Sequence, residues 1–182
     1  MNTLSAKTPV SKDSHKTSEA TALLRADHKH VAELFAEFGT TRSTANKKAI
    51  VAQICTELSV HAQVEEEIFY PEVQLALKDH TLVPEAIVEQ ATLKALIAQL
   101  EGVDPDGEMF DAKVNVLAEY VKHHVKQEQE EMFPKARASA LDMNALGERI
   151  ATRKTQLLAA RAKSSWANPA LPGTRPLSQR FQ

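Results

Sequence analysis

From Glu19 onwards the apolar residues of this chain recur at helical spacing. Leu24, His28, Val31, Phe35 and Phe38 step by threes and fours, and Gly39 marks a helix stop. "TTRST" makes the connection, with Ser43 or Thr44 as the N-cap of a second helix. The face of that helix carries Val51, Ile54, Leu58, His61, Glu65 and Ile68 and closes at Pro71. After "KDHT" a third helix follows, with Pro84 in its first turn and Val83, Ile87, Gln90, Leu93, Ile97 and Leu100 on one face. "EGVDPDGE" is a break rich in turn formers, and a fourth helix then presents Val114, Leu117, Val121, His124 and Glu128 before Pro134. A shorter fifth helix is expected over about 142–162, on Leu146, Ile150 and Leu157. Residues 1–18 are polar and rich in Ser, Thr and Lys, and read as a flexible segment; 163–182 reads as a Pro-rich tail. The pattern predicts an all-α fold, an up-down-up-down four-helix bundle with an additional short C-terminal helix over residues 19–162.

The second and fourth stripes are near-copies. Adding 63 to the positions of Val51, Ile54, Leu58, His61 and Glu65 gives Val114, Leu117, Val121, His124 and Glu128. The copies end alike, in "HAQVEEEIFYP" and "HVKQEQEEMFP", where Tyr70 matches Phe133 and Pro71 matches Pro134.

Composition supports the helical reading: 5 glycines and 5% aromatics leave little sheet or turn character. A net charge of −2 leaves no basic surplus for phosphates, so no nucleic-acid partner is expected. No apolar run approaches the ~20 residues of a membrane span, so no membrane partner is expected either. One cysteine, Cys55, excludes an internal disulfide framework and, among apolar neighbours, reads as a small buried hydrophobe. The first residues lack the apolar core of a secretory signal and carry no arginine, which makes the cytoplasm the expected location.

The unusual feature is polar residues on core stripes. His28, His61 and His124 interrupt three of them, and Glu65 and Glu128 each follow a histidine by one turn, on the same face. A buried carboxylate needs a compensating charge, and no arginine lies on any of the four stripes to supply it. A metal ion does, and imidazole with carboxylate suits iron, manganese or zinc. His15, His30 and His80 lie off the stripes and read as ordinary surface residues, as do Glu66, Glu67, Glu130 and Glu131. His123 points ~100° away from His124 and reads as an outer or surface group.

With "ADHKHV", "HAQVEEEIFYP" and "HHVKQEQEEMFP" in these places, the chain resembles the hemerythrin-like, or HHE cation-binding, family over about residues 20–162. The resemblance implies two non-heme irons, with manganese or zinc ranked below iron. His28, His61 and His124 would be terminal ligands and Glu65 and Glu128 bridges. It also implies a departure. The family places a histidine where this chain has Gln90, and the oxygen-carrying hemerythrins a second where it has Lys94. Three imidazoles and two bridging carboxylates fall well short of the ~12 bonds that two six-coordinate ions take. Gln90 then serves as a weak or water-mediated ligand or none, and the chain holds one iron or two. The function that follows is binding of O2, NO or peroxide for sensing, sequestration or stress protection. Metal-dependent peroxide or NO turnover, and an interaction or storage bundle with a vestigial site, are the alternatives.

Overall fold

The computed structural model describes residues 18–101 and 107–167. Residues 1–17 of the expected N-terminal segment, 1–18, and residues 168–182 of the expected tail, 163–182, lie outside the described residues. Helix α1 spans Ala20–Thr40 and α2 spans Thr44–Val64, the latter capped by Ser43 Oγ, which accepts from the Asn46 N–H. One π-helical turn, Glu65–Phe69, joins α2 to α3, Tyr70–Leu77. Helix α4 covers Leu82–Leu100 and α5 covers Glu108–Gln127. A second π turn, Glu128–Met132, leads into α6, Phe133–Ala138. Helix α7 runs over Met143–Ala167, past the expected end at 162.

Neither proline ends its helix. The expected stop at Pro71 is instead the second residue of α3, and Pro134 is the second residue of α6. Proline cannot donate to the carbonyl one turn back and crowds it, which breaks regular α-geometry. Here each proline follows directly on a widened turn, in which the Tyr70 N–H reaches the Glu65 carbonyl and the Phe133 N–H reaches that of Glu128. The rod absorbs its proline and continues for a further turn or two. The 63-residue repeat in the sequence is thus a repeat in the backbone as well.

Helices α1, α2, α4 and α5 form the bundle, and α7 lies against α1, α2 and the first π turn. Two apolar clusters fill it. One holds Val31, Ile54, Leu58, Leu93, Ile97, Leu117 and Val121; the other holds Leu24, Val64, Phe69, Tyr70, Ala86, Met132 and Phe133, together with Leu146, Ile150 and Leu157 of α7. Along every bundle helix a buried polar residue marks the change from one cluster to the other. His28 separates Leu24 from Val31, His61 separates Leu58 from Val64, Gln90 separates Ala86 from Leu93, and His124 follows Val121. Cys55 is buried, and that burial pushes its thiol up to about 11, in keeping with an unreactive core residue. No described helix is long and apolar enough to cross a membrane.

Helix α7 docks closely on the start of α1. A Cβ on Gly147 would lie 2.3 Å from the Ser18 carbonyl oxygen and 3.0 Å from the Ala20 nitrogen, both rigid backbone. Gly147→Ala is therefore expected to destabilise the chain by about 1–3 kcal/mol through overpacking, as read from urea unfolding. At the start of α4, Asp79 accepts from the Thr81 and Leu82 N–H groups, and these bonds with the Thr81 hydroxyl hold its carboxyl at about 2, below its ordinary 3.8. The stabilisation is thus complete above the ordinary value and lost as pH falls through the lower one. Asp79→Ala should lower Tm at neutral pH, with the gap to the parent chain closing as pH falls towards about 2.

Candidate metal centre

His28, His61, Gln90 and His124, with Glu65 and Glu128, form the polar layer between the two apolar clusters. Glu65 is 0% and Glu128 1% exposed. Such burial of two carboxylates is costly unless hydrogen bonds or a cation compensate them. The layer divides into two halves around the pair.

In the first half, His28 Nε2 and His61 Nε2 face each other at 3.0 Å. Glu128 Oε2 lies 3.2 Å from His28 Nε2, and Glu65 Oε1 lies 3.1 Å from His61 Nε2. These four residues offer donor atoms all within 4.8 Å of one another. Neither carboxylate oxygen is aligned for a hydrogen bond. Among the described residues, the buried side-chain atoms without a partner are Glu65 Oε1, Glu128 Oε2 and Gln90 Oε1. Buried oxygens of this kind are rare in folded proteins. Two imidazoles and two carboxylates are a donor set that fits a divalent first-row metal.

In the second half the other oxygen of each carboxylate meets the protein. The Tyr70 hydroxyl donates to Glu128 Oε1 at 2.7 Å and lies 3.3 Å from Glu65 Oε2. The Gln90 amide donates to Glu65 Oε2 at 2.6 Å and to the Tyr70 oxygen at 3.0 Å. His124 Nε2 stands here, 3.4 Å from the Tyr70 oxygen and 3.8 Å from Glu128 Oε1. Each glutamate therefore spans both halves, one oxygen in each. His124 is the one expected imidazole outside the compact group of four.

The π turns explain this placement. At 3.6 residues per turn a step of five residues lands ~140° from its start, which would direct Tyr70 away from Glu65. The i→i+5 turn brings it back over Glu65. The second turn does the same for Phe133, whose ring stacks on His28 with centroids 5.8 Å apart and planes 6° from parallel. One copy thus brings a hydroxyl to the carboxylates, and the other brings an apolar ring to an imidazole.

Each imidazole turns Nε2 inward and Nδ1 to a partner. His61 Nδ1 lies 3.5 Å from Asp27 Oδ2, His124 Nδ1 lies 2.9 Å from Glu89 Oε2, and His28 Nδ1 lies 2.9 Å from the Gln129 amide, itself held by Arg25. Outer partners of this kind fix ring orientation in ligating histidines. Asp27, Glu89 and Gln129 carried no signal of their own in the sequence. Tyr70 carried one, its place in the repeated aromatic-proline ending. His123 is exposed, 3.4 Å from Glu89, and Lys94 pairs with Glu66 at 2.6 Å. The amide nitrogen of Gln90 donates to the protein, and its oxygen is free of partners.

The buried charges of the layer act on one another. Burial, with the charge of Glu128 beside it, pushes Glu65 up to about 7. Burial acts on Glu128 too, but the imidazoles around it prevail and lower it. Burial opposes the imidazolium of His61, yet Glu65 and Asp27 outweigh it and raise the group to about 10; His28 is lowered, chiefly by burial. Burial, then the two carboxylates, holds the Tyr70 phenol well above its ordinary value.

Beside the imidazoles lies an apolar cavity of about 20 Å3, lined by Val31, Leu58, Leu93, Ile97 and Val121 and reaching Gln90. That is room for one water-sized molecule.

The description "hemerythrin HHE cation binding domain" belongs to the family model that matches residues 19–136. A DNA nickase from Nostoc sp. (strain PCC 7120 / SAG 25.82 / UTEX 2576) is 30% identical over 141 residues, 78% of this chain and 38% of that protein. The chain thus spans well under half the length of this relative. Among solved structures, a hemerythrin HHE cation-binding domain-containing protein from Mycobacterium kansasii shares the fold, with a TM-score of 0.71. It is 17% identical, and the likeness covers 82% of this chain and 93% of that one.

Tyr70→Phe would leave Glu128 Oε1 without its closest donor. In metal-free protein this should cost about 1–3 kcal/mol, measured by urea unfolding in the presence of a chelator. An unchanged midpoint would show that the hydroxyl does not stabilise the carboxylate pair.

Proposed function

The chain belongs to the hemerythrin HHE cation-binding domain family, and on that premise we propose that it binds non-heme iron between Glu65 and Glu128 and uses it to bind O2, NO or peroxide. The observation that carries the reading is the pair of buried carboxylate oxygens, Glu65 Oε1 and Glu128 Oε2, left without a hydrogen bond beside two inward imidazole nitrogens. His28, His61, Glu65 and Glu128 would hold a first ion. His124 would hold a second, sharing both glutamates, with Tyr70 beside it. Iron at that place supplies an electrophilic, redox-active centre for a small ligand.

The two positions are unequal by construction. Gln90 donates an amide N–H into the second half, where it occupies Glu65 Oε2. A second ion must displace that bond and the one from Tyr70, whereas the first meets oxygens with no partner. We infer a firmly held first iron and a weaker second one. The cavity favours a small ligand such as O2, NO or peroxide over a larger one, because it is small, apolar and bounded by all three imidazoles. A formal charge of −2 and the depth of the donors favour such a ligand over a polynucleotide, so the nicking activity in the relative's name is not part of this reading.

Protein made in iron-replete medium should retain one iron per chain after dialysis and take up a second only when iron is in excess. Gln90→His should make the second resistant to dialysis. Loading should raise Tm, since metal that binds the folded chain stabilises it by about 2.7 kcal/mol at a hundredfold excess over Kd. Adding NO or azide to the loaded protein should alter its visible absorption. An iron-free chain whose Tm ignores both iron and chelator would overturn the proposal.

A further inference from the structure

The outer partners of the three imidazoles do not all come from the same part of the chain. Arg25 holds Gln129 against His28, and Glu89 reaches His124 from α4; all of these lie inside the span matched by the family model, 19–136. The arrangement behind His61 does not. Asp27 Oδ2 faces His61 Nδ1 at 3.5 Å, while Asp27 Oδ1 accepts from Lys154 Nζ at 2.5 Å. Lys154 belongs to α7, which begins after that span ends. We propose that α7 is a working part of the metal centre and that Lys154 is a positioning residue, which holds Asp27 where its carboxylate fixes the His61 ring.

Three observations carry this. First, the pair is sheltered: the Asp27 side chain is 14% and the Lys154 side chain 26% exposed, so water screens it less than an ordinary surface bridge. Secondly, Asp27 has an acidic neighbour. Glu57 Oε2 lies 3.8 Å from the same Lys154 nitrogen, and without that cation two half-buried carboxylates would repel across the groove between α1 and α2. Asp27 would turn towards solvent and leave His61 Nδ1 unheld. The imidazole torsion is broad, so the ring would swing, although its Nε2 must serve a site that includes His28 and Glu65 at 3.0 and 3.1 Å. Thirdly, the register of α7 is fixed by contacts that do not involve Lys154. Arg153 takes both oxygens of Glu67, Arg149 pairs with Glu72, and Gly147 seats the helix on Ser18. The helix therefore presents Lys154 at one place only.

The inference rests on metal binding at His61, and cobalt(II) titration of the metal-free, full-length chain tests it. The variants are Lys154→Met, Lys154→Arg and, as a packing control in α7, Leu157→Ala. Lys154→Met should weaken cobalt binding ~10–100-fold, the usual effect of losing an outer partner, and change the cobalt visible spectrum. It should also broaden one hyperfine-shifted imidazole N–H resonance through faster exchange with water. Lys154→Arg should restore affinity, spectrum and resonance. Leu157→Ala should lower Tm and leave all three unchanged. Lys154→Met binding cobalt like the parent chain, or Leu157→Ala weakening it equally, would overturn the positioning role while leaving the metal reading intact. A parent chain that takes up no cobalt would overturn both.

Discussion

Two carboxylates face each other in the middle of this bundle, and the rest of the structure accommodates them. Glu65 and Glu128 are sealed from water, and each has one oxygen bonded by the protein and one that is not. Hydrophobic packing would not place them there, since an aliphatic side chain would fill the same space without the desolvation cost. The chain instead surrounds them with three inward imidazoles, a phenol and an amide. The apolar core is divided into two clusters above and below that layer. A cation between the carboxylates is the simplest compensation for their burial.

The layer is built from a duplicated motif, yet its halves differ. Both copies use a histidine and a glutamate one turn apart, a π turn and a proline. The residue that the widened turn brings inward is Tyr70 in one copy and Phe133 in the other. The phenol bonds the carboxylates of the second half, while the phenyl ring stacks on His28 beside the first. With Gln90 and Tyr70 donating to the carboxylates, the carboxylate oxygens of the second half are bonded by the protein and those of the first are not. A symmetric repeat thereby yields unequal halves.

Outside the donors, each ring is steadied by a partner from another helix, and those partners are backed in turn. Arg25 stands behind Gln129, His123 beside Glu89, and Lys154 behind Asp27. The last of these extends the centre into α7. That helix also fills one apolar cluster with Leu146, Ile150 and Leu157, so one element carries both core packing and, through Lys154, a contact to the site.

The sequence by itself determined the bundle and most of the polar residues buried at its centre. Helical periodicity is local, and His61 with Glu65, or His124 with Glu128, announces itself because residues four apart share a face and apolar neighbours make them conspicuous. His28 was legible only by its place on a stripe. What the sequence could not decide were relations between helices and departures from regular pitch. Pro71 and Pro134 looked like stops because the π turns that accommodate them have no signature in a 3.6-residue period. A regular period sets Tyr70 ~140° from Glu65, and the π turn brings it back. Asp27, Glu89, Gln129 and Lys154 look like any polar residues on solvated faces, and only packing sets them against an imidazole. Gln90 read as a weak or water-mediated ligand or none, and only tertiary structure sets its amide against Glu65 as a hydrogen-bond donor. Local spacing fixes which side chains share a face; only the assembled bundle fixes what that face meets.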